Sequence, residues 1–97
     1  MKFDRIPRRG PDVIWQFMED GVVLVLPEEG ELRVLNEVGT TIWQLIDGQR
    51  TLQHIADELV RKYEVSPGEA RRDLRAFVDQ LEAGQLIYWE SDPANGS

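Results

Sequence analysis

A change of hydrophobic period at Asn36 constrains this chain more than any other feature of it. Before that point apolar residues form short β-branched and aromatic runs or alternate with polar ones. After it they recur every three or four residues, the spacing of a helix face. Val13 to Met18 and Val22 to Leu26 flank Asp20-Gly21, a hairpin turn signal. Pro27-Glu28-Glu29-Gly30 then breaks the run, and Glu31-Leu32-Arg33-Val34-Leu35 alternates as a half-buried third strand does. Leu32 and Val34 fall on one face of that strand, with Glu31, Arg33 and Leu35 on the other.

Three helices follow. Asn36 is a good N-cap, and Val38, Ile42, Leu45 and Ile46 share a face before Asp47-Gly48 stops the helix. Thr51 caps a second helix with Leu52, Ile55, Ala56, Leu59, Val60 and Tyr63 on its apolar side. Ser66-Pro67-Gly68-Glu69 has capping-box spacing with proline at the first helical position, and it opens a third helix. Ala70, Leu74, Phe77, Val78 and Leu81 form the buried stripe of that helix, and Gly84 ends it before a short apolar segment, Leu86 to Trp89. A lone three-stranded sheet must cover one apolar face, and three amphipathic helices supply the cover. The expected fold is therefore α+β and winged helix-turn-helix-like, a three-stranded antiparallel sheet followed by three helices. Residues 1–11 read as a flexible basic arm, 12–90 as the folded domain and 91–97 as a polar tail.

With 97 residues there is room for one small core and no second domain. No apolar run approaches the length of a membrane span, and no secretory leader is apparent. The absence of cysteine removes disulfides, thiolate catalysis and cysteine metal sites, which makes a cytoplasmic location the expectation. Lys2, Arg5, Arg8 and Arg9 against Asp4 leave residues 11–97 with 7 basic and 17 acidic side chains, a net −10. Such a body repels phosphate and argues against nucleic acid as a partner.

Catalytic chemistry is equally poorly provided for. His54 is the only histidine, and it falls in the first turn of an amphipathic helix, where an exposed or capping role is expected. There is no histidine pair for a metal, no glycine-rich phosphate loop and no nucleophile elbow. Neither an enzymatic activity nor a cofactor is expected. Two non-catalytic alternatives stand beside a peptide-binding role. A small winged-helix DNA-binding regulator would read a groove with the helix that bears Arg71, Arg72 and Arg75, although Glu69, Asp73, Asp79 and Glu82 share that helix. A structural subunit would instead use Trp15, Trp43 and Trp89 at an obligate interface.

A third strand lying at the sheet edge offers unpaired backbone groups to an extended peptide. The expected groove combines Leu32, Arg33, Val34 and Leu35 with apolar pockets from Leu74 and Val78 and a charge collar from Arg71 and Arg75.

The run Leu35-Asn36-Glu37-Val38-Gly39-Thr40-Thr41-Ile42-Trp43-Gln44-Leu45-Ile46-Asp47-Gly48 carries a further signal. With Thr51, Ile55-Ala56, Leu59, Tyr63-Glu64-Val65, Asp73, Phe77, Leu81 and Gly84-Gln85-Leu86-Ile87, it resembles the PqqD-like family across about residues 13–88. Members of that family are leader-peptide recognition domains of pathways that modify ribosomally made peptides. The resemblance implies that a precursor's leader adds as a further strand beside the third strand and packs against the third helix. It also implies a modifying enzyme as partner, either a radical S-adenosylmethionine (radical SAM) enzyme of a quinone-cofactor pathway or a leader peptidase of a lasso-peptide pathway. Carried over residue by residue, it points to the same eight positions, Leu32, Arg33, Val34, Leu35, Arg71, Leu74, Arg75 and Val78. The turn Pro27 to Glu31 is longer than that of quinone-pathway members, and the basic amino-terminal segment is a second departure.

Overall fold

A computed structural model describes residues 3–19, 21–26 and 30–89. The chain runs β1 (Pro7–Arg9), β2 (Ile14–Met18), β3 (Gly21–Leu26), β4 (Glu31–Val34), α1 (Glu37–Leu45), α2 (Leu52–Tyr63), α3 (Pro67–Ala83) and β5 (Ile87–Trp89). The third strand of the sequence reading is thus β4. Strands β2, β3 and β4 form the expected antiparallel meander in that order, with Val23 opposite Val34 and Val25 opposite Leu32. The expected turn at Pro27 to Glu29, residue 20 of the hairpin turn and the tail at 91–97 lie outside the described residues.

All three helices begin where local chemistry places them. Asn36 accepts a hydrogen bond from Gly39 N–H, Thr51 from His54 N–H and Ser66 from Glu69 N–H, each satisfying a donor that the first helical turn leaves without an intrahelical partner. The helices lay their apolar faces together against the sheet. Val22 and Leu24 of β3 meet Ile42, Trp43 and Ile46 of α1 and the buried stripes of α2 and α3. Trp43 is fully buried and takes Trp15 edge-on, with ring centroids 6.1 Å apart. Between α1 and α2, burial by itself would raise the Asp47 carboxyl. Hydrogen bonds from the Gln49 and Arg50 N–H groups, together with the Arg50 guanidinium, outweigh it and hold the group below its ordinary value.

The amino-terminal segment departs from expectation. Residues 7–9 are not a flexible arm but strand β1, paired antiparallel with β5 in a second sheet, Pro7 opposite Trp89 and Arg9 opposite Ile87. Upstream of it, the Phe3 and Arg5 carbonyls accept from Gln53 and Leu52 N–H at 2.8 and 3.0 Å, so the segment also caps the start of α2. Its three arginine side chains are occupied as well. Arg5 stacks over Trp89 at 4.2 Å and Arg9 over Trp15 at 4.9 Å. The segment is therefore a strap that closes the carboxy-terminal end of the fold. Proline at the start of a short edge strand is tolerated because its missing N–H breaks no ladder bond there.

One buried hydroxyl ties the meander to α1. Thr40 Oγ1 accepts from Val22 N–H at 3.0 Å and donates to the Leu35 carbonyl at 3.3 Å, bridging β3 to the end of β4. Thr40→Val keeps the shape but strands a buried donor and acceptor, and a loss of about 1 to 3 kcal/mol in urea denaturation is expected. Thr40→Ser, which keeps the hydroxyl, should recover much of it.

Candidate peptide-binding site

The outer edge of β4 is open. Leu35 N–H donates to the Val22 carbonyl at 2.8 Å, which fixes residue 35 as bonded inward to β3. In an antiparallel ladder the direction alternates, so Arg33 bonds inward opposite Leu24, while the N–H and C=O of Leu32 and Val34 point away from the sheet. Both side chains are also free, Leu32 being 69% and Val34 64% exposed. They share the outer face of the meander with Val23, Val25, Ile14 and Met18, an uncovered face that is apolar apart from Gln16. Arg33 lies on the opposite, helix-facing side, half-buried and without an ion pair among the described residues.

Beyond Val34 the chain passes through Leu35 and Asn36 into α1, and there a cleft of about 360 Å³ opens between α1 and α3. Val38, Gly39 and Ile42 form one wall, and Asp73, Ala76, Phe77 and Gln80 form the other. Gly39 allows the close approach of these helices. A Cβ there would sit 3.3 Å from the Phe77 ring and 3.1 Å from the Asn36 side-chain oxygen. The half-buried Phe77 thus gives the cleft an aromatic wall, and Asn36, two residues past the end of β4, lines the same cleft.

The structure divides the expected site residues. Leu32 and Val34 turn their backbone groups toward where an added strand would lie, whereas Arg33 bonds inward to β3 and offers that edge no backbone group. Leu35 is buried and serves the core. Leu74 and Val78 are fully buried beneath α3 and cannot line a groove, because the centre of an amphipathic helix face packs inward while its flanks border any cleft. Arg71 and Arg75 are exposed but occupy the flank of α3 that faces α2 and the strap, where Arg71 Nε donates to Gln53 Oε1 at 3.4 Å. The flank that borders the cleft carries Asp73, Phe77 and Gln80 instead. Asp73 and Phe77 already belonged to the motif spacing quoted above, so the signal for that flank was present in the sequence.

His54 is exposed, as expected, with Glu58 3.8 Å away on the same helix. Among the described residues no group of three His, Asp or Glu side chains could hold a metal ion. No helix described is long and apolar enough to cross a membrane.

A known family accounts for this arrangement. Residues 21–87 match the family model described as coenzyme PQQ synthesis protein D (PqqD). The chain is 34% identical over 87 residues to the PqqA binding protein of Rahnella aquatilis, covering 90% of this chain and 87% of that protein. Among solved structures it is similar to TbiB1 in complex with the TbiA(beta) leader peptide, with a TM-score of 0.76, 28% identity, and coverage of 88% of this chain and 99% of that one. It is also similar to the PqqD truncation of Methylobacterium extorquens PqqCD, described as a stand-alone recognition element for ribosomally synthesized and post-translationally modified peptides. That match has a TM-score of 0.70 and 25% identity over 86% of this chain and 88% of that one. From the free edge of β4, the cleft beside it and a family match across both, the chain belongs to the PqqD family.

Proposed function

We propose that this chain is a non-enzymatic peptide chaperone that holds the leader of a ribosomally made precursor and presents the rest of that peptide to a modifying enzyme. The observation that carries this reading is the edge of β4, where the backbone groups of Leu32 and Val34 point outward, two residues before a cleft of mixed polarity that holds Phe77. An extended leader bonds to those groups and alternates its side chains between the outer apolar face and the cleft, so that backbone pairing gives affinity and Phe77 gives selectivity. The leader-bound state of TbiB1 and the PqqA-binding relative support the same partner class. Tethering one leader raises the effective concentration of the attached core at the enzyme without requiring recognition of each core sequence. The enzyme belongs to the radical SAM or leader-peptidase class, and the complex forms in the cytoplasm, where a ribosomal product first meets it.

The test is amide-shift mapping by NMR with three synthetic peptides: Rahnella aquatilis PqqA, the TbiA(beta) leader, and the precursor encoded nearest this gene. At least one should shift Leu32, Val34 and the Val38 to Gly39 amides together, and Phe77→Ala should weaken that peptide about tenfold or more, since buried aromatics dominate such interfaces. Shifts confined to other surfaces, or none with any of the three peptides, would refute the reading.

A further inference from the structure

The arginine flank of α3 is unused by the cleft. About 100° per residue separates positions on a helix, so with Leu74 at the centre of the buried face, Arg71 and Arg75 lie to one side and Asp73 and Phe77 to the other. On the arginine side a hollow of about 460 Å³ is lined by Phe3, Arg71, Arg72, Arg75, Ala76 and Asp79. Among the described residues no carboxylate comes within ion-pair distance of any of these three guanidiniums, and Arg72 and Arg75 have no hydrogen bond. Of the other arginines, Arg5 and Arg9 stack on tryptophan rings, Arg50 pairs with Asp47 and Arg61 with Glu58, while Arg33 stands alone on the sheet without an ion pair among the described residues. A chain with a formal charge of −7 has ample acid to neutralise a cluster of three, yet it supplies only Asp79 to this hollow.

We propose that this flank is a second docking surface, meeting the leader cleft only at Ala76, for an acidic peptide segment of a partner protein. Guanidinium forks match carboxylates in bidentate geometry, and Phe3 with Ala76 provides an apolar seat for a side chain between them. The acidic remainder of the surface penalises the same segment anywhere else, which makes the flank specific as well as attractive. A nucleic-acid duplex would bring its phosphates against that acidic remainder too, so the charge distribution favours a short segment over a duplex. Because the arginines lie on one flank of α3 and Asp73 and Phe77 on the other, with Ala76 the one lining residue common to both, leader and acidic segment can be held at once.

The probe is a fluorescein-labelled Glu-rich peptide with one central Leu, followed by anisotropy, and its Gln counterpart is the control. The Glu peptide should bind at low salt and weaken about tenfold on raising salt to roughly physiological strength, where the screening length falls to about 8 Å. The Arg72→Glu/Arg75→Glu variant should weaken it about tenfold or more, with Arg72→Gln/Arg75→Gln intermediate. Both arginines are exposed, and unchanged circular dichroism would confirm the fold. Val34→Pro should leave this binding intact, and the arginine variants should leave leader affinity intact, so failure of one site is distinguishable from failure of the other. Equal binding of the Gln peptide, indifference to the arginine variants, or tighter binding of mixed-sequence duplex DNA at the same salt would each overturn the proposal.

Discussion

Val34→Pro should abolish most leader binding while leaving the fold intact. Proline removes the outward-pointing N–H of β4 and places a ring where the added strand must approach. The lost hydrogen bond is worth about 0.5 to 1.5 kcal/mol and the ring displaces its neighbours, so a drop of roughly ten- to a hundredfold in affinity is expected by calorimetry. The native sheet loses nothing equivalent, since residue 34 makes no inward bond to β3, and proline is tolerated on edge strands for that reason. The thermal midpoint should therefore stay within a few degrees.

The paired control sits one residue away. Arg33 bonds inward opposite Leu24, so Arg33→Pro cuts the β3–β4 ladder and should lower stability as well as binding. Leu32→Pro should behave like Val34→Pro. A result in which Arg33→Pro and Val34→Pro are equally folded and equally active would remove the ladder phase on which the site rests.

How much of this could be read beforehand depended on the range of the interactions. The three N-caps were legible because each lies three residues from the N–H it satisfies, at Asn36, Thr51 and Ser66. The β4 alternation was legible because period two sorts Leu32 and Val34 from Arg33 within five residues. Strand β1 was not, because Pro7-Arg8-Arg9 has no alternation and its partner, Tyr88 opposite Arg8, lies at the other end of the chain. The cleft flank of α3 was missed for a different reason. A helical wheel shows two flanks around Leu74 but not which of them meets α1, and that choice is made by the contact of Gly39 with Phe77. Charge drew attention to Arg71 and Arg75, whereas the packing turned the other side toward β4.

Gly21 is the position where a single methyl group should do most damage. Its φ is +133°, a conformation that L side chains rarely adopt, and a Cβ there would stand 2.6 Å from the Leu35 carbonyl oxygen and 2.7 Å from Thr40 Oγ1. Those are the atoms that bridge β3, β4 and α1, so neither can retreat without breaking the buried hydroxyl link that satisfies Val22 N–H. Backbone strain of about 1 to 3 kcal/mol adds to an overpacking cost of about the same size, and Gly21→Ala should lose roughly 3 kcal/mol or more in urea denaturation. For a domain of this size that lowers the thermal midpoint by more than about 10 °C. Two other glycines calibrate the effect. Gly30 has φ +66° but open space around its Cβ position, so Gly30→Ala should cost only the left-handed penalty of about 1 to 2 kcal/mol. Gly68, in the first turn of α3 with nothing within 4 Å, should gain up to about 1 kcal/mol as alanine. The order Gly21, Gly30, Gly68 separates steric overlap from backbone strain and both from helix propensity. If Gly21→Ala lost no more than Gly30→Ala, the close approach of the β3 start to the Leu35–Thr40 bridge would be wrong, and the position of α1 beside the β4 edge, on which the leader cleft depends, would be wrong with it.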